Sequence, residues 1–505
     1  MTSRVTSLVG NFGRLWRRGH ESFDPSTRRI LRVQGQGATS YLQGLVTCDL
    51  LQPPPPPREE EEEEEDNYDD ANNNNQNNNN NLHSGQSTTT TTTTPMVEFS
   101  DELRAACFLD NKGRVVTDSL LWKISDDQYY IDVAGNVADS LFQHLKQFIL
   151  RRSKVQVTDM TSTMQVHVVH GTLNAKGSPP GYRTAVDPRH PSLGLRVLSL
   201  DKRDPKQFET FMSSQFPPGP GSYHVIRKLA GVAEGNELTG KIALECNQEF
   251  LNAVSFQKGC YLGQELTARV QYKGAIRKRI LPVVLLDVNM SVPRPWILAS
   301  QIQEGRWVMD EYQQGKENQV EKDQNQQNRL MMMDGKPILP SNLPRLPRMS
   351  ASAAGSLVAM MTNAGDGMMM MMTTTAATGA SEQIPSAMSD KELNQARAQS
   401  EALISSLQTL KQGDAMIDSK DGKQIGQIIA TAEEGTNVVL AQLRLDRVGL
   451  LGDGIWTYNN KVTVGDNNDR QFRFLPYLPL WWPEIDRESG KAKEVLEEDD
   501  EDHLD

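Results

Sequence analysis

Eight consecutive residues in the middle of the chain combine groups that could do chemistry. Residues 258–265 read Lys-Gly-Cys-Tyr-Leu-Gly-Gln-Glu, which places a thiol, an ammonium, an amide and a carboxylate close together. Lys258 near Cys260 would favour the thiolate, the form that attacks electrophiles and binds metals. Gly259 and Gly263 permit positive φ or a close approach of a ligand to the backbone. The stretch predicts a site centred on Cys260; the alternative is a buried, inert cysteine in a turn.

A helix is predicted to begin directly after this stretch, because residues 264–269 suit its first turns. Gln264 and Glu265 would then lie near the helix N-terminus, where a carboxylate is stabilised and free N–H groups can hold an anion. The candidate site residues are Lys258, Gly259, Cys260, Tyr261, Gly263, Gln264 and Glu265.

Long runs of low complexity interrupt the chain of 505 residues. They lie at 53–57 (Pro), 59–65 (Glu), 72–81 (Asn), 88–94 (Thr), near 313–328 (Gln and Asn) and near 331–333 and 368–372 (Met). Such segments cannot bury enough apolar surface to offset the conformational entropy lost on ordering. Roughly 300 residues remain, which is enough for two or three small domains.

The net charge of −12 comes from two acidic tracts, since residues 59–70 hold ten acidic residues and residues 494–505 hold eight. The remainder is mildly basic, so neither sign indicates an acidic or a nucleic-acid partner. The four cysteines, Cys48, Cys107, Cys246 and Cys260, form no CxxC pair, which argues against a disulfide framework and a zinc ribbon. No apolar run approaches the ~18 residues of a membrane span.

The first 22 residues are predicted to be a mitochondrial transit peptide, with cleavage at an unspecified position before Phe23. The segment 1–20 carries arginines, no acidic residue until Glu21, and apolar residues at helical spacing on the opposite face. This amphipathic, Arg-rich pattern is typical of such peptides, and an ordinary basic tail is the alternative. We therefore expect the protein in the mitochondrial matrix.

The remaining pattern predicts an α+β protein. Strands are expected at 29–33, 105–109, 114–122, 129–133, within 155–169 and at 193–197, and helices at 38–45, 137–150 and 223–229. Further strands at 281–286, 422–429 and 437–445 indicate a small antiparallel β-barrel split by an insert. Gly35-Gln36-Gly37 is not a dinucleotide loop, because a third glycine and the βαβ context are missing.

The segment 245–257 followed by KGCYLGQELTAR resembles the signature of the YgfZ/GcvT-like family, which is aminomethyltransferase-related and folate-binding, and is most similar to its mitochondrial iron–sulfur cluster assembly branch. Weaker matches lie at 42–50, 108–118 and 231–235, and the resemblance covers about 26–50, 96–290 and 420–480. It implies a three-domain ring with ferredoxin-like α+β subdomains and a C-terminal β-barrel. The expected domains are a transit peptide (1–22), a folate-binding-like region (26–272, insert 52–95), a barrel (273–485, insert about 300–420) and an acidic tail (486–505).

The resemblance implies, first, an assembly factor for mitochondrial 4Fe–4S proteins. Iron–sulfur clusters are usually held by four protein ligands, most often thiolates. Only Cys260 stands in a site-like context, so we expect it to ligate a 2Fe–2S cluster shared with an A-type iron–sulfur scaffold partner. Lys258 and Gln264 or Glu265 would tune that ligand.

The resemblance also implies a second function, tetrahydrofolate-dependent one-carbon transfer. Glu245 matches a carboxylate that holds the pterin ring, and Asp118 matches a strand that carries two adjacent aspartates in the transferases. Arg269 and the basic residues after it, Lys273, Arg277, Lys278 and Arg279, would receive a polyglutamate tail or form a solvated strand edge. The absence of the second aspartate favours the first function, and a structural scaffold with a degenerate pocket is a third possibility.

Overall fold

The protein forms two antiparallel sheets, a closed barrel and a few helices. The computed structural model describes residues 19–52, 100–170, 181–200, 223–288, 402–433, 436–452, 461–465, 470–479 and 481–493, together with three two-residue strands between 332 and 349. Residues 1–18 of the predicted transit peptide and nearly all of the predicted insert 52–95 lie outside these ranges. No helix in the described ranges is long and apolar enough to cross a membrane.

The strands and helices follow one another in a simple order. The strands are β1 (Gly19–Ser22), β2 (Arg28–Gln34), β3 (Leu103–Leu109), β4 (Val115–Ser125), β5 (Gln128–Ala134), β6 (Gln156–Asp159), β7 (Gln165–His170), β8 (Tyr182–Val186), β9 (Leu195–Ser199), β10 (Lys278–Asp287), β11 (Ala415–Asp418), β12 (Gln424–Ala430), β13 (Val438–Arg444), β14 (Lys461–Val464) and β15 (Arg470–Pro476). The helices are α1 (Ala38–Gln43), α2 (Ala138–Gln147), α3 (Tyr223–Leu229), α4 (Gln264–Lys273) and α5 (402–408). Met332–Met333 pairs with Lys336–Pro337, and Arg348–Met349 with Leu478–Pro479.

The first sheet has the strand order β3-β4-β5-β2-β6 and is buried on both faces. In β3, Ala106 and Phe108 belong to the core beneath α1 and α2, whereas Ala105 and Cys107 belong to a central core on the other face. Successive side chains of a strand point to opposite faces, so a strand buried on both sides reads as a nearly continuous apolar run. This explains why 103–109 is so apolar.

The second sheet has the order β1-β7-β9-β8. Its edge strand β1 pairs with β7 along its whole length, from Gly19 opposite His170 to Ser22 opposite His167. This strand lies inside the range 1–22 predicted as the transit peptide. A mature protein that keeps β1 would require cleavage before Gly19, within the predicted range.

The C-terminal strands close into a six-stranded antiparallel barrel with the order β10-β13-β12-β11-β14-β15, in which β15 returns to β10. The predicted α+β class and C-terminal barrel are thus confirmed, and both sheets and the barrel contribute residues to the central core. Strand β11 begins at Ala415, inside the predicted insert of about 300–420. Residues 486–493, predicted as part of the acidic tail, pack on the fold, because the Ile276 N–H donates to the Ser489 carbonyl at 2.7 Å.

A segment without strands joins α3 to α4 and carries the candidate motif. It contains short 3₁₀ turns at Gly235–Glu237 and Leu244–Cys246 and packs between the first sheet and the barrel. Asn247 holds it to the barrel, since its side-chain amide donates to the Ile280 carbonyl at 2.7 Å. The path of this segment determines where residues 258–265 reach the surface.

Candidate functional site

Cys260 is the exposed thiol of the molecule, and the other three cysteines are buried. Burial raises the pKa of the Cys48 thiol to about 12 and also raises the pKa of the Cys107 and Cys246 thiols. The thiolate is the form that ligates metals, so these three groups are inert. The alternative of a buried, inert cysteine is therefore wrong for Cys260.

Lys258 does not direct its ammonium group to the thiol. Its Nζ donates to three backbone carbonyls, those of Gln43 at 2.8 Å, Val46 at 2.6 Å and Cys48 at 2.8 Å. An ammonium has three N–H groups, so these contacts use all of them. The predicted role of Lys258 in favouring the thiolate is replaced by a structural one: it is a buried anchor two residues before Cys260.

The electrostatics at Lys258 follow from this burial. Burial lowers the pKa of Lys258 to about 8, while Cys48 and Asp49 act in the opposite direction. The three carbonyl oxygens also favour the charged form, because each accepts a charge-assisted hydrogen bond. The Tyr261 ring lies 4.8 Å from Nζ and shields it further.

The chain is fixed again directly after Cys260. The Leu262 N–H donates to the Gly44 carbonyl at 2.9 Å. Gly263 has φ +77°, and a Cβ there would lie 2.5 Å from the Asp110 carbonyl oxygen, so only glycine fits. Gly259 has no positive φ and nothing within 4 Å of its Cβ position, so this side of the loop is open to an approaching group.

The segment 43–48 forms the cradle for this loop. The carbonyls of Gln43, Val46 and Cys48 in this segment point toward Nζ of Lys258. Thr47 joins the segment to the loop through two hydrogen bonds. The Thr47 hydroxyl donates to the Ala253 carbonyl at 2.5 Å, and its own carbonyl accepts the Ser255 N–H at 3.0 Å. The Asp49 carboxylate accepts a hydrogen bond from the Gln43 side-chain amide at 2.9 Å. Asp49 therefore stabilises the turn that ends the segment.

Helix α4 begins at Gln264, as the sequence predicts. Glu265 is exposed in its first turn and Gln264 is half-exposed, so both lie beside the positive end of the helix dipole. Tyr261 is buried, and burial raises the pKa of its hydroxyl to about 12. Cys260 thus projects from a short loop held by Lys258 before it and by Leu262 and Gly263 after it.

The three residues predicted to hold folate have different surroundings. The Asp118 carboxylate is buried, accepts the Gly235 N–H at 2.7 Å and lies 3.7 Å from the Arg189 guanidinium. Glu245 accepts from the Gln442 amide at 3.1 Å, and Arg269 is exposed on α4. The Asp118 and Glu245 carboxylates thus each accept a hydrogen bond from the protein and Arg269 is exposed, and the assignment of these three residues to a folate site stays a prediction.

Asp118 instead belongs to a buried network of ion pairs that the sequence analysis did not identify. Arg28 pairs with Asp132 at 2.6 Å, and Arg189 pairs with Asp187 at 2.8 Å and with Glu234 at 2.5 Å. The other members are Arg196, Tyr223, Arg227 and Glu237. The sequence segments 187–189 and 231–235 supply Arg189 and Glu234, but nothing in the sequence shows that these two residues meet.

The charges in this network set the pKa values of its carboxylates. Burial alone would raise the pKa of Glu234, but Arg189, Arg28 and Arg227 outweigh it and hold that pKa well below its usual value. Burial and the neighbouring Glu234 raise the pKa of Asp118. The network is therefore largely self-neutralising, which is typical of a structural element rather than an open pocket.

Metal ligation by this chain alone has little support in the described residues. No group of three or more His, Cys, Asp and Glu side chains there is placed to hold a metal ion. His167 and His170, two histidines close together in sequence, are buried in β7. Cys260 can offer one thiolate to a metal centre held by another molecule.

The chain is similar in sequence to proteins named as mitochondrial iron–sulfur cluster assembly factors, as the motif predicts. Three relatives carry the name iron-sulfur cluster assembly factor IBA57 homolog, mitochondrial. The one from Pyricularia oryzae is 36% identical over 190 residues (36% of this chain and 47% of the relative). Those from Dictyostelium discoideum (32% over 171 residues; 32% and 41%) and Mycosarcoma maydis (33% over 189 residues; 35% and 45%) are alike.

The chain spans about half the length of the curated relatives that it matches. No family model matches it. Among solved structures, it is similar to the glycine cleavage system aminomethyltransferase T from Bartonella henselae, with a TM-score of 0.46 and 9% identity over 96% of this chain and 91% of that one.

Proposed function

We propose that this protein is an assembly factor for mitochondrial iron–sulfur proteins and that Cys260 is its ligand to a cluster shared with a partner. The observation that carries the proposal is the placement of Cys260, an exposed thiol on a loop anchored at both ends. The similarity to the named assembly factors supports the general function. The 4Fe–4S proteins as final recipients are part of the proposal.

The number of ligands argues for a shared cluster. A 2Fe–2S cluster normally takes four protein ligands, and Cys260 supplies one. The buried cysteines cannot join it without unfolding the core around them. The remaining ligands therefore come from a partner rich in cysteine, for which an A-type iron–sulfur scaffold protein is our candidate.

A rigid loop suits this task. A ligand that is held in place loses little conformational entropy when the cluster binds, so more of the ligation energy remains for holding the complex together. The Lys258 anchor and the Gly263 turn fix the backbone on both sides of Cys260. The open space at Gly259 leaves room for the partner on the exposed side.

The mitochondrial matrix is the proposed location. The relatives are named as mitochondrial, and the sequence before β1 carries the features of a transit peptide. We propose cleavage before Gly19, because cleavage immediately before Phe23 would remove a strand that pairs along its length with β7. N-terminal sequencing of the protein isolated from mitochondria tests this position.

The test of the function is anaerobic reconstitution with a mitochondrial A-type scaffold protein, iron and sulfide. Visible absorption and circular dichroism report cluster formation in the mixture. We expect a cluster spectrum distinct from that of the scaffold alone with the wild-type chain, and its loss with Cys260→Ser. Cys48→Ala is the matched control, because it removes a buried thiol and leaves Cys260 in place.

The two variants separate the possible outcomes. Equal spectra for wild type and Cys260→Ser would refute ligation by Cys260. Loss of the spectrum in Cys48→Ala as well would show that thiol removal disturbs the fold, and the ligand assignment would then not be supported.

Folate-dependent one-carbon transfer is the alternative function, and no contact in the described residues favours it. Asp118 and Glu245 are engaged by Gly235 and Gln442, and Arg269 lies on the outer face of α4. Titration calorimetry with tetrahydrofolate tests it directly. Binding that is abolished by Asp118→Asn in a folded protein would revive this alternative.

A further inference from the structure

A group of cationic side chains surrounds helix α4 and the Cys260 loop. We call it the basic surface; all its members except the half-exposed Lys241 are exposed. They are Lys112, Arg114, Lys241, Arg269, Lys273, Arg277 and Lys278. Arg279, which the sequence analysis placed in the same cluster, is not part of it, because it is buried, pairs with Glu249 at 2.8 Å and stacks on Phe250.

The basic surface is continuous. A Cβ at Gly113, in the turn that carries Lys112 and Arg114, would meet Leu266 of α4 at 2.5 Å, so this turn lies against the first turns of the helix. The Lys241 carbonyl accepts the Val115 N–H at 2.9 Å, which places Lys241 beside the same turn. Arg277 and Lys278 follow four and five residues after the helix ends at Lys273.

Helix α4 presents one stripe to solvent. Glu265, Arg269, Tyr272 and Lys273 are exposed and lie at i, i+4, i+7 and i+8, which is a single helix face. Tyr272 is 68% exposed. The stripe starts at Glu265, five residues after the exposed Cys260, so it lies next to the Cys260 loop along the chain.

The described residues provide no ion-pair partner for these seven cations. Within the described ranges, none of the seven side chains forms an ion pair with a carboxylate, whereas Arg28, Arg189, Arg196 and Arg227 are all paired. Glu245 lies in the field of Lys278, Arg114 and Lys241, and its carboxylate accepts a hydrogen bond from the Gln442 amide. The seven cations outnumber the three carboxylates among them, Glu245, Glu265 and Asp110, of which Asp110 accepts the Lys112 and Arg114 backbone N–H groups.

We propose that the basic surface docks an acidic face of the protein that shares the cluster with Cys260. The inference rests on the proposed function and adds the chemistry by which that partner is recognised. A cluster can bridge two proteins only after their ligands have been brought together in one orientation. Complementary charge beside the ligand accelerates the encounter and fixes the register.

The surface fits a protein better than a nucleic acid. Arg and Tyr are enriched in the central parts of protein interfaces, and the α4 stripe exposes Arg269 and Tyr272 side by side, three residues apart. Glu265 stands in the same stripe and would repel a phosphate backbone. An acidic protein face can place a cation against Glu265 and carboxylates against its neighbours.

The test measures association of the apo A-type scaffold protein with the wild-type chain by stopped-flow fluorescence from low to high salt. We compare Arg269→Glu/Lys273→Glu with the control Lys411→Glu, an exposed lysine in the segment that contacts Asn236 and not α4. We expect the double reversal to slow association about tenfold or more at low salt and to flatten the salt dependence. Lys411→Glu should behave as wild type.

Cys260→Ser separates this proposal from the proposed function. It should keep the salt-dependent association of the apo proteins and lose the cluster. If the double reversal associates as fast as wild type, the docking role of the basic surface is refuted, whereas cluster formation with wild type still supports the function. A cluster that never forms, with association that depends on Arg269 and Lys273, refutes the function and supports docking.

Other occupants of the basic surface would also contradict the proposal. Binding of anionic vesicles or of duplex DNA that depends on Arg269 and Lys273, without association of the scaffold, would assign the surface to lipid or nucleic acid.

The last described residues, up to Lys493, lie near α4, because the Lys491 ammonium contacts the Gln271 carbonyl. If deletion of the acidic residues 494–505 removed the effect of the double reversal, the surface would serve this chain itself.

Discussion

Replacing Lys258 by methionine tests whether this residue anchors the Cys260 loop. Methionine keeps an unbranched side chain of similar length and removes the ammonium, so the carbonyls of Gln43, Val46 and Cys48 lose a common donor at 2.6 to 2.8 Å. A buried acceptor left without its donor costs about 1 kcal/mol or more. For three carbonyls we expect Lys258→Met to lower the free energy of unfolding by about 3 kcal/mol.

The assay is urea unfolding followed by tryptophan fluorescence, with Lys411→Met as the control for loss of an exposed lysine. Surface substitutions of that kind change stability by about 0.5 kcal/mol or less. Alkylation of Cys260 in the folded protein provides the second measurement. If Lys258→Met keeps full stability and only slows alkylation, the ammonium acts on the thiol and the anchor is refuted.

Three further predictions address the backbone, the buried ions and the histidines. Gly263→Ala should destabilise by about 2 kcal/mol or more, because φ is +77° and the new Cβ would meet the Asp110 carbonyl, whereas Gly259→Ala, with open space, should cost about 0.5 kcal/mol or less in thermal unfolding. Arg189→Met should lower the free energy of unfolding by about 3–5 kcal/mol, since it leaves buried carboxylates without their cation, and an unchanged urea midpoint would contradict this. Burial lowers the pKa of His167 to about 3 and of His170 to about 4, so the unfolded chain binds more protons once the pH falls below about 6.5. Each histidine should then remove about 1.4 kcal/mol of stability between pH 7.5 and 5.5, and His170→Gln should reduce this pH dependence of the urea midpoint.

The sequence predicts what depends on local pattern. Alternation and turn chemistry locate the hairpin around Gly113, the helix that starts at Gln264 and the strands of the barrel, because each is determined within a few neighbouring residues. The motif around Cys260 predicts a site, and the Cys260 thiol is exposed. Strand β1 lies at the end of the predicted transit peptide; its four residues carry no apolar alternation, so the strand is recognised only from its pairing with β7.

The rest depends on contacts between distant parts of the chain. Lys258 lies 212 residues from Val46, and Arg28 lies 104 residues from Asp132, so neither partner can be read from spacing. The sequence predicts that Lys258 acts on the thiol nearest to it in the chain. In the fold, its ammonium group instead donates to three backbone carbonyls from a distant segment. The same limit explains Arg279, which belongs to a basic run in sequence and points into the barrel core in the fold.

The most direct measurement of the central claim is anaerobic native mass spectrometry of the complex with an A-type scaffold protein. We predict a complex of one copy of each protein that carries two irons and two sulfides with the wild-type chain. With Cys260→Ser we predict an apo complex without iron or sulfide. A complex of Cys260→Ser that carries the same cluster would contradict the account, because Cys260 would then not be a ligand.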